Sequence, residues 1–316
     1  MNALPTCRVA DIGETAEKLK WMIEGLWLDN AVGLIGGEPK SYKTFAALSL
    51  AVAVASGKNC FGHYQVKRCG SVLLYAAEDS LIMVKERIQG ICKGMEAPFD
   101  TLDVHVITAP RLRIDSQIDR KKMEDLVQNI KPVLLVLDPF VRLHSIDENS
   151  SGEVARVLSW LRDLQRQYNL NIVMVHHARK RAGNERPGQS LRGSSELHAW
   201  GDSNLYLRRM ANEDSYVEFT IEHRAAPSQG NIQLRFNSGD SPPFLSYEGG
   251  GQSAQVSPPS PRERILNTLT SLGPQIPGES LRSACGMKSS TFWQTLNQLL
   301  QSNLIIKNDD NTYTSL

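Results

Sequence analysis

Nine residues, Gly36-Gly37-Glu38-Pro39-Lys40-Ser41-Tyr42-Lys43-Thr44, constrain this chain more than any others in it. They lie between a short apolar run at 31–36 and a segment from about 43 to 56 that suits a buried helix. A strand–loop–helix junction closing on Lys-Thr is the setting a phosphate-binding loop requires. In such a loop, backbone N–H groups and the positive end of the helix wrap a phosphate. The contact set is then Gly37, Glu38, Pro39, Lys40, Ser41, Tyr42, Lys43, Thr44 and Phe45. Lys43 would neutralise the β and γ phosphates of ATP, Thr44 would ligate Mg²⁺, and Lys40 adds a second cation. One position departs from the pattern G-x-x-x-x-G-K-[ST], which wants glycine where Tyr42 stands. Its side chain must point away from the phosphates, or the loop must take different dihedrals. Taken alone, the nine residues also describe a Gly-Lys-Thr-rich turn at a helix start.

The surrounding pattern favours the phosphate loop. Apolar runs at 71–77, 104–108, 133–137 and 171–175 alternate with helical patterns at 81–94, 119–130 and 154–168. In the last of these Val154, Val157, Leu158, Leu161 and Leu164 recur at helical spacing. Runs at 203–209 and 216–222 read as paired strands. Near-continuous apolar strands separated by helices predict an α/β fold, a mostly parallel sheet covered on both faces. Such sheets bind ligands at the carboxyl ends of their strands, and three polar groups stand there. Asp138 closes the run 133–137 and is the candidate carboxylate for the Mg²⁺ shell. Glu78 closes 71–77 and could orient or deprotonate an attacking water. Asp79 is the second candidate and also suits the N-cap of a helix starting near Ser80. His177 follows 171–175, where a hydrogen bond to the γ phosphate could sense its loss.

Composition is that of a globular protein, with 41% hydrophobic and 22% charged residues over 316 positions. A formal charge of +1 does not mark the whole chain as a nucleic-acid binder, so any such site must be local. The five cysteines are scattered, as expected for free thiols in the reducing cytoplasm. The first residues lack the basic-then-apolar pattern of a secretory signal, and the longest apolar stretch, 45–56, is too short to span a bilayer.

The segment 249–261, GGGQSAQVSPPSP, reads as a linker between a domain at 1–248 and a small one at 262–316. The small one is expected to form helices at 262–272, 277–285 and 288–302, then a strand pair at 304–307 and 312–316, as in a winged helix-turn-helix. Lys288, Ser289, Ser290, Gln294 and Asn297 would face a major groove. With five basic residues against four acidic ones, the tail's charge is also compatible with a protein-contact role.

Together, GGEPKSYKT, YAAEDS, LLVLDP, VMVHHARK and RGSSE resemble the RecA-like ATPases of the AAA_25 group, which include RepA-type plasmid replicative helicases. The resemblance covers nearly all of 20–235, and WMIEGLWL at 21–28 is similar to the family's lead-in to its first strand. It implies hexameric rings with ATP and Mg²⁺ at subunit interfaces. Lys43 and Thr44 would bind phosphate and metal, Glu78 would be the catalytic glutamate, Asp138 the Walker B aspartate and His177 the γ-phosphate sensor. It also implies an arginine finger after a late strand, in a K-x-R sequence. Here Glu222-His223-Arg224 occupies that place without the lysine, and Arg208 and Arg209 are alternatives. The loop after the sensor strand, at 178–200, would line the channel and hold single-stranded DNA through Arg179, Lys180, Arg181, Arg186 and Arg192. The functions expected are a DNA helicase or translocase of a mobile element, or an ATP-switched DNA-binding regulator or loader.

Overall fold

The structure, a computed structural model, describes residues 6–8, 19–177, 195–210, 213–239, 242–250, 261–273, 275–302, 304–308, 310 and 312–315. The chain divides into two compact units, Met1–Ser253 and Ala254–Leu316.

In the first unit, a hairpin of β1 (Trp21–Ile23) and β2 (Trp27–Leu28) leads into β3 (Val32–Gly37) and α1 (Lys43–Ser56). Then come β4 (Val72–Ala76), α2 (Leu81–Met95), β5 (Val104–Val106), α3 (Gln117–Ile130), β6 (Leu134–Asp138), α4 (Ser151–Tyr168) and β7 (Asn171–His177). A short α5 (Ser195–Trp200) precedes β8 (Ser203–Met210), β9 (Glu213–His223), β10 (Gln229–Asn237) and β11 (Phe244–Gly249). Among the described residues one nine-stranded sheet runs β11-β10-β9-β8-β3-β7-β6-β4-β5. Strands β8, β3, β7, β6, β4 and β5 are mutually parallel, and β9 to β11 extend the sheet by antiparallel pairing.

Strand parity divides the core between the two faces. Ile35, Leu74, Val136 and Val175 pack with α1 and α2, while Leu34, Tyr75, Leu137 and Met174 pack with α3, α4 and α5. Both halves of each strand's alternation are buried, which is why these segments read as continuous apolar runs. The expected α/β fold is what the structure shows. Helix α1 has the range read from the sequence, since the left-handed turn at Tyr42, φ 64°, precedes its start and Gly57, at φ 73°, ends it. Gly33 marks the tightest approach: a Cβ there would lie 1.7 Å from the Ser203 carbonyl oxygen and 3.0 Å from the Trp27 ring.

Three expectations are corrected. Gly249, expected to open the linker, ends β11. The last part of the stretch expected as a loop, Ser195–Trp200, is helical, with Leu197 buried and the Trp200 indole donating to the Leu158 carbonyl at 3.0 Å. The strands β10 and β11 were not expected at all.

In the second unit α6 (Pro261–Leu272), β12 (Ile276–Pro277), α7 (Gly278–Cys285), α8 (Ser289–Gln301), β13 (Ile305–Lys307) and β14 (Thr312–Ser315) follow in order. Ile265, Leu269, Leu281, Phe292, Leu296 and Leu299 form their core. The strands pair antiparallel in the order β12-β14-β13. No helix among the described residues is long and apolar enough to cross a membrane.

Because no rotamer can relieve a clash between a Cβ and a backbone oxygen, Gly33→Ala is expected to destabilise the first unit by about 3 kcal/mol or more. Urea unfolding monitored by tryptophan fluorescence would measure it, and a loss below about 1 kcal/mol would mean that β3 and β8 can part at little cost.

Candidate functional site

From β3 the chain crosses β7 and β6 to reach β4, whereas after β7 it comes to lie on the other side of β3, as β8. This reversal makes the carboxyl ends of β3 and β7 a topological switch point, where open α/β sheets bind ligands. A cleft of about 480 Å³ opens there, lined by Lys43, Thr44, Glu78, Asp138 and His177 along with other residues of 40–45. The five polar residues singled out from the sequence for phosphate, metal and water chemistry thus share one cavity.

Register explains the convergence. Gly37 and His177 are paired at the ends of β3 and β7, and Ala76 and Asp138 at the ends of β4 and β6. Strands that end level present their terminal polar groups at one height. Asp138 and His177 close their strands from within them, rather than standing just beyond.

The loop between β3 and α1 is built around close approach. A Cβ on Gly37 would lie 2.4 Å from the Leu207 carbonyl oxygen and 2.6 Å from the Ser41 hydroxyl, so no other residue fits there. Lys40 and Tyr42 both take φ 64°, the left-handed region that glycine enters freely. Tyr42 is the N-cap of α1 but offers its first turn no side-chain hydrogen bond. Its ring is turned aside and stacks on Phe236 of β10, with centroids 4.0 Å apart and planes 16° from parallel. Phe45 meets both rings edge-on, and the Arg209 guanidinium lies 5.6 Å from the Tyr42 centroid. The left-handed conformation costs about 1–2 kcal/mol. A stacked pair returns about 0.5–1.5 and a cation–π contact about 0.5–1 kcal/mol. The two sides are of one size, so the tyrosine is tolerated where the pattern wants glycine.

Two opposite charges are buried beside the loop. Lys43 is 5% exposed and donates through Nζ to the Glu38 carbonyl at 2.6 Å. Burial lowers its pKa from 10.5 to about 8, against the pull of Asp138 and Glu38. Asp138 is 7% exposed. Burial raises its pKa from 3.8 to about 6, opposed first by a hydrogen bond from Thr44. At pH 7 both are largely ionised, and each charge opposes folding by about 3 kcal/mol. The stability that neutral Asp138 confers is full below pH 3.8 and lost as pH rises through about 6. The Lys43 penalty fades only as pH rises from about 8 toward 10.5.

The donor set suits magnesium and phosphate. Thr44 and Asp138 are hard oxygen donors already in contact with one another, and Mg²⁺ is held by one or two such groups with phosphates and water completing its shell. The Ser41 hydroxyl is buried without a hydrogen-bond partner in the structure, as suits a group aimed at an anion.

Around this centre the acidic residues are engaged. Glu78 accepts from Arg142 Nε at 2.8 Å, both side chains being well exposed. Asp79 pairs with Arg87, and Ser80 rather than Asp79 caps α2, accepting from the Met83 N–H at 3.3 Å. His176, beside His177, is buried edge-on to Phe140. Arg87 and Arg209 line the cleft. Arg87 had not been singled out, and Arg209 only as an alternative finger.

Arg224 is elsewhere. It follows β9, at the amino ends of the parallel strands, where it pairs with Asp202 and donates to the Ala199 carbonyl. It therefore lies at the opposite end of the sheet from its own chain's cleft, about 17 Å away along β3. Arg179, Lys180, Arg181, Arg186 and Arg192 lie outside the described residues. Lys288 is the exposed N-cap of α8, and Ser289, Ser290, Gln294 and Asn297 are exposed on that helix.

A family model described as an AAA domain, AAA_25, matches residues 2–183. Among solved structures the chain is similar to one ATPase domain with a TM-score of 0.52 and 16% identity, over 66% of this chain and 82% of that one. It is also similar to a DnaB-like replicative helicase solved for its interactions with primase, with a TM-score of 0.54 and 15% identity. That match covers 69% of this chain and 59% of the helicase. The first unit thus has the RecA-like fold.

The pKa directions set a pH window for a magnesium–nucleotide complex. Affinity should be flat between about pH 6 and 8 and fall about tenfold per pH unit below 6, as Asp138 takes up a proton. Calorimetric titration of ATP with and without excess EDTA is the check. An acid limb that persists in EDTA would assign it to a group other than Asp138.

Proposed function

The chain belongs to the AAA domain family, and from that premise we propose that it is an ATP-hydrolysing ring ATPase acting on DNA, a RepA-like helicase or translocase in the replication of a mobile element. The observation that carries the reading is the single cleft that gathers Lys43, Thr44, Glu78, Asp138 and His177 at the switch point of a RecA-like sheet.

In this reading the N–H groups of residues 37–45 and the Lys43 ammonium hold the β and γ phosphates, while Thr44 and Asp138 hold Mg²⁺. The metal, when bound, would neutralise charge on the phosphate oxygens. Glu78 orients the attacking water and accepts its proton. Its partnership with Arg142 is an exposed ion pair, worth little, so exchanging it for a water costs little. His177 reports the γ phosphate to the segment that follows it. That segment carries Arg179, Lys180, Arg181, Arg186 and Arg192, which suit the backbone of a single strand in the channel of a hexamer. Arg224, remote from its own cleft, is suited to reach the γ phosphate held by a neighbour. The second unit would be a winged helix that presents Lys288 and the exposed face of α8 to duplex DNA.

A second reading, an ATP-switched DNA-binding regulator or helicase loader without unwinding activity, is favoured by one feature. Tyr42 puts an aromatic ring where loops of this pattern carry glycine.

Both readings are tested by ATP turnover with Mg²⁺, with and without single-stranded DNA, on the wild type and Lys43→Ala. The motor reading expects strong stimulation by DNA and a loss of about 100-fold or more in the variant. Turnover indifferent to DNA, together with a sequence-specific duplex footprint, would favour the switch. Turnover unaffected by Lys43→Ala would remove the cleft from the chemistry.

A further inference from the structure

Strand β10 belongs to the antiparallel extension of the sheet, yet its Phe236 touches the phosphate loop. The ring of Tyr42 lies flat on Phe236, and Phe45, one residue past the Thr44 hydroxyl, meets the same ring edge-on at 5.0 Å. Two cations of the cleft attend this aromatic group: Arg209 sits 5.6 Å from the Tyr42 centroid and Arg87 5.3 Å from that of Phe45. Tyr42 meanwhile holds a left-handed backbone at φ 64°, ψ 24°, which side-chain-bearing residues rarely adopt. A conformation of this kind persists only where its surroundings over-determine it. The neighbouring residues Lys43 and Thr44 carry the candidate phosphate and metal contacts, so the backbone at 42 sets where those contacts point.

We propose that Phe236 is a positioning residue for the phosphate loop. By stacking on Tyr42 it keeps that ring out of the phosphate path and keeps the loop in the left-handed geometry from which Lys43 and Thr44 reach a nucleotide. The inference rests on the reading of the cleft as an ATP site. Its consequence is specific: nucleotide affinity depends on a strand outside the parallel core, and only because residue 42 has a side chain. With glycine at 42 the left-handed backbone is free of strain and no ring needs holding, so the dependence on Phe236 vanishes.

The test is a double-mutant cycle on the full chain, read as the dissociation constant for ATP with Mg²⁺. Phe236→Ala is expected to weaken binding about tenfold or more when Tyr42 is present, and less than about twofold in the Tyr42→Gly background. Phe236→Tyr, which retains a stacking ring, should bind like the wild type. A general weakening of the fold would lower affinity equally in both backgrounds, and that result overturns the proposal. So does a loss below about twofold in both backgrounds. Should Phe236→Ala fail to fold, Phe236→Leu fills the same cycle, since it preserves apolar volume while removing the stack. Wild type that binds no ATP, or Lys43→Ala that binds as tightly as wild type, would instead sink the reading of the cleft itself and is told apart from a cycle that shows no coupling.

Discussion

Burying Lys43 and Asp138 side by side at the carboxyl ends of β3 and β6 is the constraint around which the first unit is organised. Each charge alone opposes folding, and each is displaced toward neutrality by its surroundings. The apolar layers on both faces of the sheet and the level strand ends supply the order that holds the two ions in place. An anion with a divalent cation is the ligand that relieves both at once. The protein is therefore least comfortable where it is most chemically useful, and binding feeds back on stability as it would for any ligand specific to the native state.

Much of this was legible because the parallel strands are buried on both faces. A segment such as Leu134–Asp138 has no freedom to be anything but a central strand, and the polar residue that ends it stands out against the apolar run. The five cleft residues were found from the loop motif and from that contrast. The pairing of β8 with β9 was read from the sequence, but β10 and β11 were not, and the cause is visible in their pairing. In β10, Ile232, Leu234 and Phe236 alternate as a strand should, but the register shifts between Gln229 and Ile232, and Asn231 takes φ 56° there. That irregularity leaves only a short stretch of period-two signal. Arg87 was missed because nothing in a helical pattern says which of its cations faces a cavity.

Tyr42 shows what a motif leaves open. Read as a pattern, its side chain demanded either a turned-away ring or altered dihedrals. The structure keeps the left-handed dihedrals of a glycine and turns the ring away as well, onto Phe236. A local rule is broken in the loop and compensated by a residue 194 positions further along the chain. Such compensation is invisible to any reading confined to the motif.

The placement of Arg224 at one end of the sheet and the cleft at the other has a geometric corollary. If the arginine of one copy completes the cleft of another, two kinds of contact can do it. Side by side and antiparallel about a two-fold axis, each copy lends its arginine to the other's cleft and the pair is closed. Head to tail, each copy lends its arginine in one direction only, and the contact either closes on itself after a whole number of steps or continues as an open helix. Whether a head-to-tail contact closes or continues is decided by the rotation between successive copies rather than by the strength of the contact.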